Sequence, residues 1–185
     1  MVDRVHVVCR ANQGRSPVFA ELLREQAAGR GVEAQVTSSG LEARPDMMLL
    51  PAMSQAWYRR GGSALDHASR IYDPAEVRTA EVTLVFEAAQ RSRVVNELPE
   101  MVDRVYTVRE ATRLVRSPRW EPDWSGSSFV MTRLHRMRAY VEPGDDDTPD
   151  PVRLRRAACQ RLLAELEESA DLLGAALFGP VEVGA

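Results

Sequence analysis

The sequence predicts a single α/β domain in which a central four-stranded parallel sheet carries helices on both faces. Short runs of β-branched and apolar residues alternate with longer segments of helical period, a pattern typical of parallel strands connected through helices. The 185 residues are the length of one domain, and no repeat or linker divides them. We therefore predict one domain over residues 1–185.

Each predicted strand is a short apolar run bounded by polar residues. The first, at residues 4–8, leads through a short polar stretch into a helix that opens at Pro17 and runs to about residue 30. The other three strands are predicted at residues 34–38, 82–86 and 102–107. Because ligands of such sheets bind at the carboxyl ends of the strands, the segments that follow the strands are the places to search for a site.

The second half of the chain is predicted to be mainly helical. Residues 116–126 hold two prolines, two tryptophans and a glycine, which indicates a surface excursion, and residues 127–140 follow as a short helix. An acidic, proline-containing loop is predicted at residues 142–151. From residue 152 to about 178, leucines and alanines recur at helical spacing, which predicts a long terminal helix packed on the sheet.

The composition argues against several classes of function. A net charge of −3 lacks the basic excess of a nucleic-acid-binding protein, and no apolar run reaches the length of a membrane span. The absence of a signal-peptide pattern and the presence of only two cysteines, Cys9 and Cys159, predict a cytoplasmic protein. The three histidines lack ligand spacing, so we predict neither a metal site nor a cofactor.

A Cys-x5-Arg-Ser motif occupies residues 9–16, directly between the first strand and the first helix. Five intervening residues suffice to curl a loop around a tetrahedral oxyanion, with backbone N–H groups pointing inward and the positive end of the helix beneath it. The sequence therefore predicts a phosphate-binding loop above the sulfur of Cys9. The residues predicted to bind phosphate are Arg10, Ala11, Asn12, Gln13, Gly14 and Arg15.

The side chains of this motif suit phosphoryl transfer. Cys9 is predicted to be the nucleophile, because the surrounding N–H groups and guanidinium favour its thiolate. The planar fork of Arg15 can hold two phosphoryl oxygens at once, and Ser16 can donate a hydrogen bond to the sulfur. Asn12 and Gly14 are residue types that tolerate a left-handed backbone. The alternative, a buried strand-end cysteine and a solvated arginine, is disfavoured by the strand before the motif and the helix after it.

Further segments strengthen one particular resemblance. The chain resembles the low-molecular-weight protein tyrosine phosphatase family in its N-terminal signature, in the Ser38-Ser39-Gly40 turn, in His67 and Arg70, in Leu84-Val85-Phe86-Glu87, and in the late Asp150-Pro151 pair. The resemblance implies that fold and the hydrolysis of phosphate monoesters, above all protein phosphotyrosine, through a cysteinyl-phosphate. It also implies that His67 supports the loop by hydrogen bonding to Asn12 and Ser39.

Asp150 is the predicted general acid. The family places an aspartate followed by proline on a mobile loop before the last helix, and a phosphate ester needs a proton for its leaving oxygen. Proline at a first helical position also makes Asp150 a helix cap, which is the alternative interpretation. The competing acids are Asp145, Asp146 and Asp147.

Several positions depart from the family pattern. Gly14 stands where most members carry a second cysteine, so Cys9 would lack a neighbouring resolving thiol. Val152 replaces an aromatic residue that often follows the Asp-Pro pair, which weakens phosphotyrosine as the substrate. Residues 41–62 would line one wall of the cleft in this family. For their methionines and Trp57, however, packing in the core is the favoured interpretation, and Leu41 or Arg44 is the expected substrate contact. Cys159 is expected to be a small buried side chain rather than a redox partner. Trp120 and Trp124 are expected to form a satellite apolar cluster rather than an added lid or a partner surface.

Three alternative functions remain open. An arsenate reductase of the same fold would use a cysteine pair near the third strand, and residues 80–95 contain no cysteine. A catalytically silent phosphate-binding relative is disfavoured by the retention of Cys9, Arg15 and Asp150. A phosphatase acting on a small phosphate ester rather than a protein is left undecided, because the loop recognises only the phosphoryl end. The sequence does not predict the oligomeric state.

Overall fold

The computed structural model describes residues 1–121 and 123–181 and contains the predicted parallel sheet. Its four strands are β1 (Arg4–Cys9), β2 (Gln35–Gly40), β3 (Val82–Val85) and β4 (Val105–Thr107). They lie in the order β2-β1-β3-β4, and every neighbouring pair is parallel. The predicted fold class is confirmed, with β2 extending two residues beyond its predicted end and β4 starting three residues later than predicted.

Seven helices surround the sheet in the part of the chain that the structure describes. They are α1 (Arg15–Ala28), α2 (Pro51–Arg59), α3 (Pro74–Thr79), α4 (Ala88–Glu97), α5 (Val108–Arg116), α6 (Ser127–Met137) and α7 (Arg156–Phe178). Short 3-10 turns occur at Pro99–Met101 and Pro151–Arg153. The predicted helices at 17–30 and 127–140 therefore exist but end earlier than predicted.

The prediction of one helix from residue 152 to 178 was wrong at its start. Pro151–Arg153 form a separate 3-10 turn, and α7 begins only at Arg156. Leu154 and Arg155 have extended backbones, with ψ of 144° and 160°, and this interrupts the helical hydrogen bonding. Asp150 consequently belongs to a turn of its own rather than to the end of the long helix.

The sheet separates two apolar cores. The larger one contains Val5 and Val7 of β1 together with residues of α1 and α7, among them Phe19 and Leu163. The smaller one contains Val8, which points to the opposite face, together with buried residues of β3, α3 and α4: Val85, Val77 and Val94. This two-sided burial explains why the predicted strands are continuous apolar runs rather than alternating ones.

The tryptophans of the predicted excursion pack against the larger core. Trp120 and Trp124 are partly buried there, and Trp124 Nε1 lies 3.2 Å from the carbonyl oxygens of Ala175 and Ala176 in α7. Both side chains therefore join the larger core rather than a separate satellite cluster, and residue 122 of the excursion lies outside the described residues. Cys159 is fully buried, as predicted. Among the described helices, none is long and apolar enough to cross a membrane.

Candidate active site

The loop at residues 9–16 lies at the carboxyl edge of the sheet, where β1 ends and α1 begins. Asn12 has a left-handed backbone with φ of 53°, as predicted. The same prediction was wrong for Gly14, whose φ is −151°. A Cβ on Gly40 of the neighbouring strand would lie 2.7 Å from the backbone nitrogen of Asn12. The loop therefore packs directly against Gly40, the last residue of β2, where there is space for glycine alone.

The sulfur of Cys9 accepts two hydrogen bonds inside the loop. The backbone nitrogen of Asn12 is 3.3 Å from Cys9 Sγ, and Ser16 Oγ is 3.0 Å from it. Cys9 is only 3% exposed, so little solvent reaches the sulfur. Both donors direct partial positive charge at one atom, the Cys9 sulfur.

Asn12 connects the loop to the rest of the edge. Its Nδ2 donates to Ser16 Oγ and Ser38 Oγ, both at 2.9 Å, and its Oδ1 accepts from the backbone nitrogen of Arg70 at 2.8 Å. The carbonyl oxygen of Asn12 is 2.6 Å from His67 Nε2. The fully buried amide thus holds its own left-handed backbone in place.

The predicted contact between His67 and Asn12 is present, but the predicted contact between His67 and Ser39 was wrong. Ser39 Oγ instead lies 2.8 Å from His6 Nε2. Ser38 and Ser39 are adjacent in β2 and point to opposite faces of the sheet. Ser38 therefore reaches Asn12, while Ser39 reaches the histidine of the neighbouring strand.

His6 is a buried polar residue beneath the loop that sequence reasoning overlooked. Its Nδ1 lies 2.8 Å from Thr37 Oγ1, and its Nε2 is 3.7 Å from Glu76 Oε2 as well as near Ser39. Burial lowers the pKa of His6 to about 4, and the Glu76 carboxylate only partly offsets that effect. The signal in the sequence was a single histidine inside an otherwise apolar buried strand.

The low pKa of His6 predicts a loss of stability in mild acid. The unfolded chain binds a proton at a pKa near 6.5 and the folded chain only near 4, so the free energy of unfolding is expected to fall as the pH drops from 7 to 4.5. The size of that fall from this one group is about 2 kcal/mol. Urea unfolding of wild type and His6→Gln at both pH values measures it.

His135→Gln is the matched control, because His135 is exposed on α6. His6→Gln should lose less stability between pH 7 and 4.5 than wild type, whereas His135→Gln should follow wild type. An identical pH dependence in all three proteins would show that His6 is not a buried neutral histidine.

Arg15 is buried and bridges the loop to its surroundings. Its side chain is 2% exposed, with Nη1 at 2.6 Å from Glu87 Oε1 and 2.7 Å from the carbonyl oxygen of Thr148. Nη2 lies 3.6 Å from Asp150 Oδ2. No role was predicted for Glu87, although an acidic residue directly after β3 lies at the edge where ligands bind.

Asp150 reaches the loop, and its three acidic rivals do not. Its Oδ2 is 3.1 Å from Arg10 Nη2, and its Oδ1 accepts a hydrogen bond from the backbone nitrogen of Val152 at 3.1 Å. Asp150 is therefore both a cap of the 3-10 turn and a carboxylate beside Arg15. The rivals bind elsewhere: Asp145 pairs with Arg109, Asp146 with Arg113, and Asp147 with the backbone nitrogen of Ala88.

Two adjoining cavities meet at Arg10 and Asp150. A cavity of about 40 Å³ lies over the loop and is closed by Asp150, Pro151 and Val152. A larger one of about 580 Å³ is bordered by acidic side chains, including Glu87. Among the described residues that line these two cavities, none is aromatic.

The glycine at position 14 permits this close approach of the two loops. A Cβ on Gly14 would lie 2.7 Å from Cγ of Pro151. The cysteine that the family resemblance places there would therefore collide with Pro151, at the end of the loop at residues 142–151, in this arrangement. The absence of a side chain at Gly14 is therefore required for this packing.

The segment 41–62 contributes differently from the prediction. Met53 and Trp57 are buried, as expected of a core face, but Met48 is 80% exposed. The residue of this segment that lines the cavity over the loop is Leu50, rather than Leu41 or Arg44. Leu41 belongs to the smaller core instead.

Comparison with known proteins identifies related sequences and structures. A family model described as low molecular weight phosphotyrosine protein phosphatase matches residues 4–123, which leaves the loop of Asp150 outside the match. The protein-arginine-phosphatase of Bacillus subtilis (strain 168) is 25% identical over 103 residues, which are 56% of this chain and 68% of that protein.

Solved structures agree with the fold over nearly the whole chain. A mutant of YwlE from Bacillus subtilis is 21% identical, with a TM-score of 0.70 over 93% of this chain and 96% of that one. The tyrosine phosphatase Wzb from Escherichia coli K30, in complex with sulphate, is 18% identical, with a TM-score of 0.69 over 94% of this chain and 97% of that one.

Proposed function

The chain belongs to the low molecular weight phosphotyrosine protein phosphatase family and is a phosphatase, and we propose that it dephosphorylates proteins through a phosphocysteine formed on Cys9. The observation that carries the proposal is the convergence of three groups at one loop. The sulfur of Cys9 accepts two hydrogen bonds, the Arg15 guanidinium and Asp150 carboxylate stand 3.6 Å apart, and all three residues line one cavity.

In the first step the Cys9 thiolate attacks phosphorus. A P–S bond forms while the bond from phosphorus to the leaving group breaks, and Asp150 supplies the proton that the leaving group takes. Arg15 and the backbone N–H groups of the loop hold the equatorial phosphoryl oxygens as their charge grows. For this, the Arg15 fork turns part of its hydrogen bonding from Glu87 to the phosphoryl group.

In the second step water attacks the phosphocysteine. Asp150, now ionised, takes a proton from the water, a P–O bond forms and the P–S bond breaks. Ser16 Oγ and the backbone nitrogen of Asn12 stabilise the departing thiolate, since both already donate to the sulfur. Inorganic phosphate leaves, and Asp150 keeps the proton for the next cycle.

The acidic cavity beside the loop favours phosphoarginine as a second candidate substrate. Glu87, Asp147 and Asp150 border the space in which the leaving group would lie, and no aromatic side chain among its described lining residues could stack on a tyrosine ring. A guanidine leaving group becomes a cation when it takes a proton, and carboxylates stabilise that charge. The similarity to a protein-arginine-phosphatase agrees with this candidate.

A substrate panel tests both candidates. Peptides of one sequence carrying phosphotyrosine or phosphoarginine, together with para-nitrophenyl phosphate and small phosphate esters, are compared by kcat/KM. We expect a higher kcat/KM for the phosphopeptides than for the small esters, and a phosphoarginine preference if the acidic cavity holds the leaving group. Higher values for the small esters would point to a metabolite phosphatase, and no turnover of any substrate by the folded protein would refute the proposal.

A further inference from the structure

Arg109 of α5 makes two contacts with the loop at residues 142–151. Arg109 Nη1 lies 3.2 Å from Asp145 Oδ2 and also donates a hydrogen bond to the carbonyl oxygen of Asp147. One guanidinium thus binds a side chain and a backbone group of the same loop. The second contact is only three residues before Asp150.

Arg109 is itself held from the opposite side by α7. Its Nε and Nη2 lie 2.6 Å and 3.2 Å from the two carboxylate oxygens of Glu165. Such a two-pronged pair fixes the plane of the guanidinium and leaves Nη1 directed at the loop. A capping box formed by Thr107 and Glu110 fixes the first turn of α5, which contains Arg109. The contact is therefore prearranged by two helices.

The loop is also bound to the edge of the sheet through its backbone. The backbone nitrogen of Thr148 donates to the carbonyl oxygen of Phe86 at 2.7 Å, and the carbonyl of Thr148 accepts from Arg15. The Asp147 side chain accepts from the backbone nitrogen of Ala88 at 2.7 Å. Arg109 completes this set by holding the carbonyl of Asp147 from the side of α5.

Arg113 holds a more distant part of the loop. It donates to the carbonyl oxygen of Glu142 at 3.0 Å and pairs with Asp146. These contacts lie further from Asp150 along the chain than the contact with Asp147. Of the two arginines, Arg109 makes the contact that is nearest to Asp150 along the chain.

We propose that Arg109, held by Glu165, is a positioning residue for the proton transfer by Asp150. This inference rests on the proposed function, in which Asp150 protonates the leaving group. A loosened loop lets Asp150 leave proton-transfer distance for part of the time, while Cys9 and Arg15 remain in place. The loss of kcat/KM when Arg109 is replaced should therefore be larger for a leaving group that needs a proton more.

The test is the leaving-group dependence of kcat/KM in Arg109→Gln. Phenyl phosphate has a basic leaving oxygen and needs the acid, whereas 2,4-dinitrophenyl phosphate departs without one. We expect kcat/KM to fall about tenfold for phenyl phosphate and less than about threefold for the dinitrophenyl ester, a part of the 10²–10⁴-fold that a general acid contributes. A purely structural defect would lower both values equally.

Arg116→Gln is the matched control. Arg116 pairs with Glu168 and so joins the same two helices, but it makes no hydrogen bond or ion pair to the loop among the described residues. It should leave both kcat/KM values near those of wild type. Glu165→Gln keeps Arg109 but removes its charged partner, and it should show a weaker form of the same leaving-group dependence. This variant replaces Arg109→Gln in the test if Arg109→Gln folds poorly.

Asp150→Asn separates failure of this inference from failure of the proposed function. If Asp150→Asn shows a steep leaving-group dependence and neither Arg109→Gln nor Glu165→Gln shows any, Arg109 does not position the acid. If Asp150→Asn also lacks the dependence, the assignment of Asp150 as the acid is wrong. In the double variant of residues 109 and 150, the Arg109 effect on phenyl phosphate should disappear, because the group it positions is gone.

Discussion

Cys9→Ser is expected to reduce the turnover of para-nitrophenyl phosphate by on the order of 10⁴-fold or more, the loss typical of removing a catalytic nucleophile. A serine hydroxyl in this loop remains protonated, and the two hydrogen-bond donors that serve the sulfur cannot by themselves ionise it. Release of inorganic phosphate at saturating substrate measures the loss. Trapping wild type in acid during turnover should recover phosphate attached to Cys9.

Cys159→Ala is the control for this experiment. Cys159 is the second cysteine of the chain and lies fully buried in α7, remote in sequence from the loop. The variant should keep the turnover of wild type with some loss of thermal stability, because a small buried side chain has been shortened. A folded Cys9→Ser protein that keeps more than about a hundredth of wild-type turnover, or equal losses in both variants, would contradict covalent catalysis by Cys9.

The features that could be predicted from the sequence are local ones. The apolar run of β1 and the spacing from Cys9 to Arg15 lie within a dozen residues, so their hydrogen bonding follows from short-range geometry. The left-handed backbone of Asn12 could be predicted for the same reason, because asparagine tolerates it. The parallel character of the sheet needed only the alternation of strands with helices, whereas the order β2-β1-β3-β4 was not predicted.

The features that could not be predicted depend on register and on distant partners. Ser38, rather than Ser39, contacts the Asn12 side chain because the two serines point to opposite faces of the sheet. Which serine takes which face is decided by the register of β2 against β1. The ion pair of Arg15 with Glu87 joins the start of α1 to the segment after β3, and the two come together only once the sheet has formed. The separate turn after Asp150 packs closely against Gly14, a contact between distant residues that no local pattern encodes.

Arg15→Lys is expected to lower kcat/KM by about 10³-fold while leaving the fold intact. Removing one preorganised donor to developing charge costs on the order of 10²–10³-fold, and lysine also loses the two-pronged geometry that matches a pair of phosphoryl oxygens. Because lysine keeps the positive charge, the Glu87 carboxylate keeps a charged partner, and we expect little change in the temperature of unfolding. Steady-state kinetics with para-nitrophenyl phosphate, together with thermal unfolding, give both quantities.

Arg24→Lys is the matched control on the same helix. Arg24 donates to the carbonyl oxygen of Val36 and pairs with Glu21, with no contact to the loop among the described residues. Its substitution should change kcat/KM by less than about twofold, because nothing it binds takes part in the transition state. If Arg15→Lys behaved like this control, positive charge alone would suffice at position 15. The phosphoryl group would then be held mainly by the backbone of the loop, and the planar fork of Arg15 would serve the fold through Glu87 and Thr148 rather than the reaction.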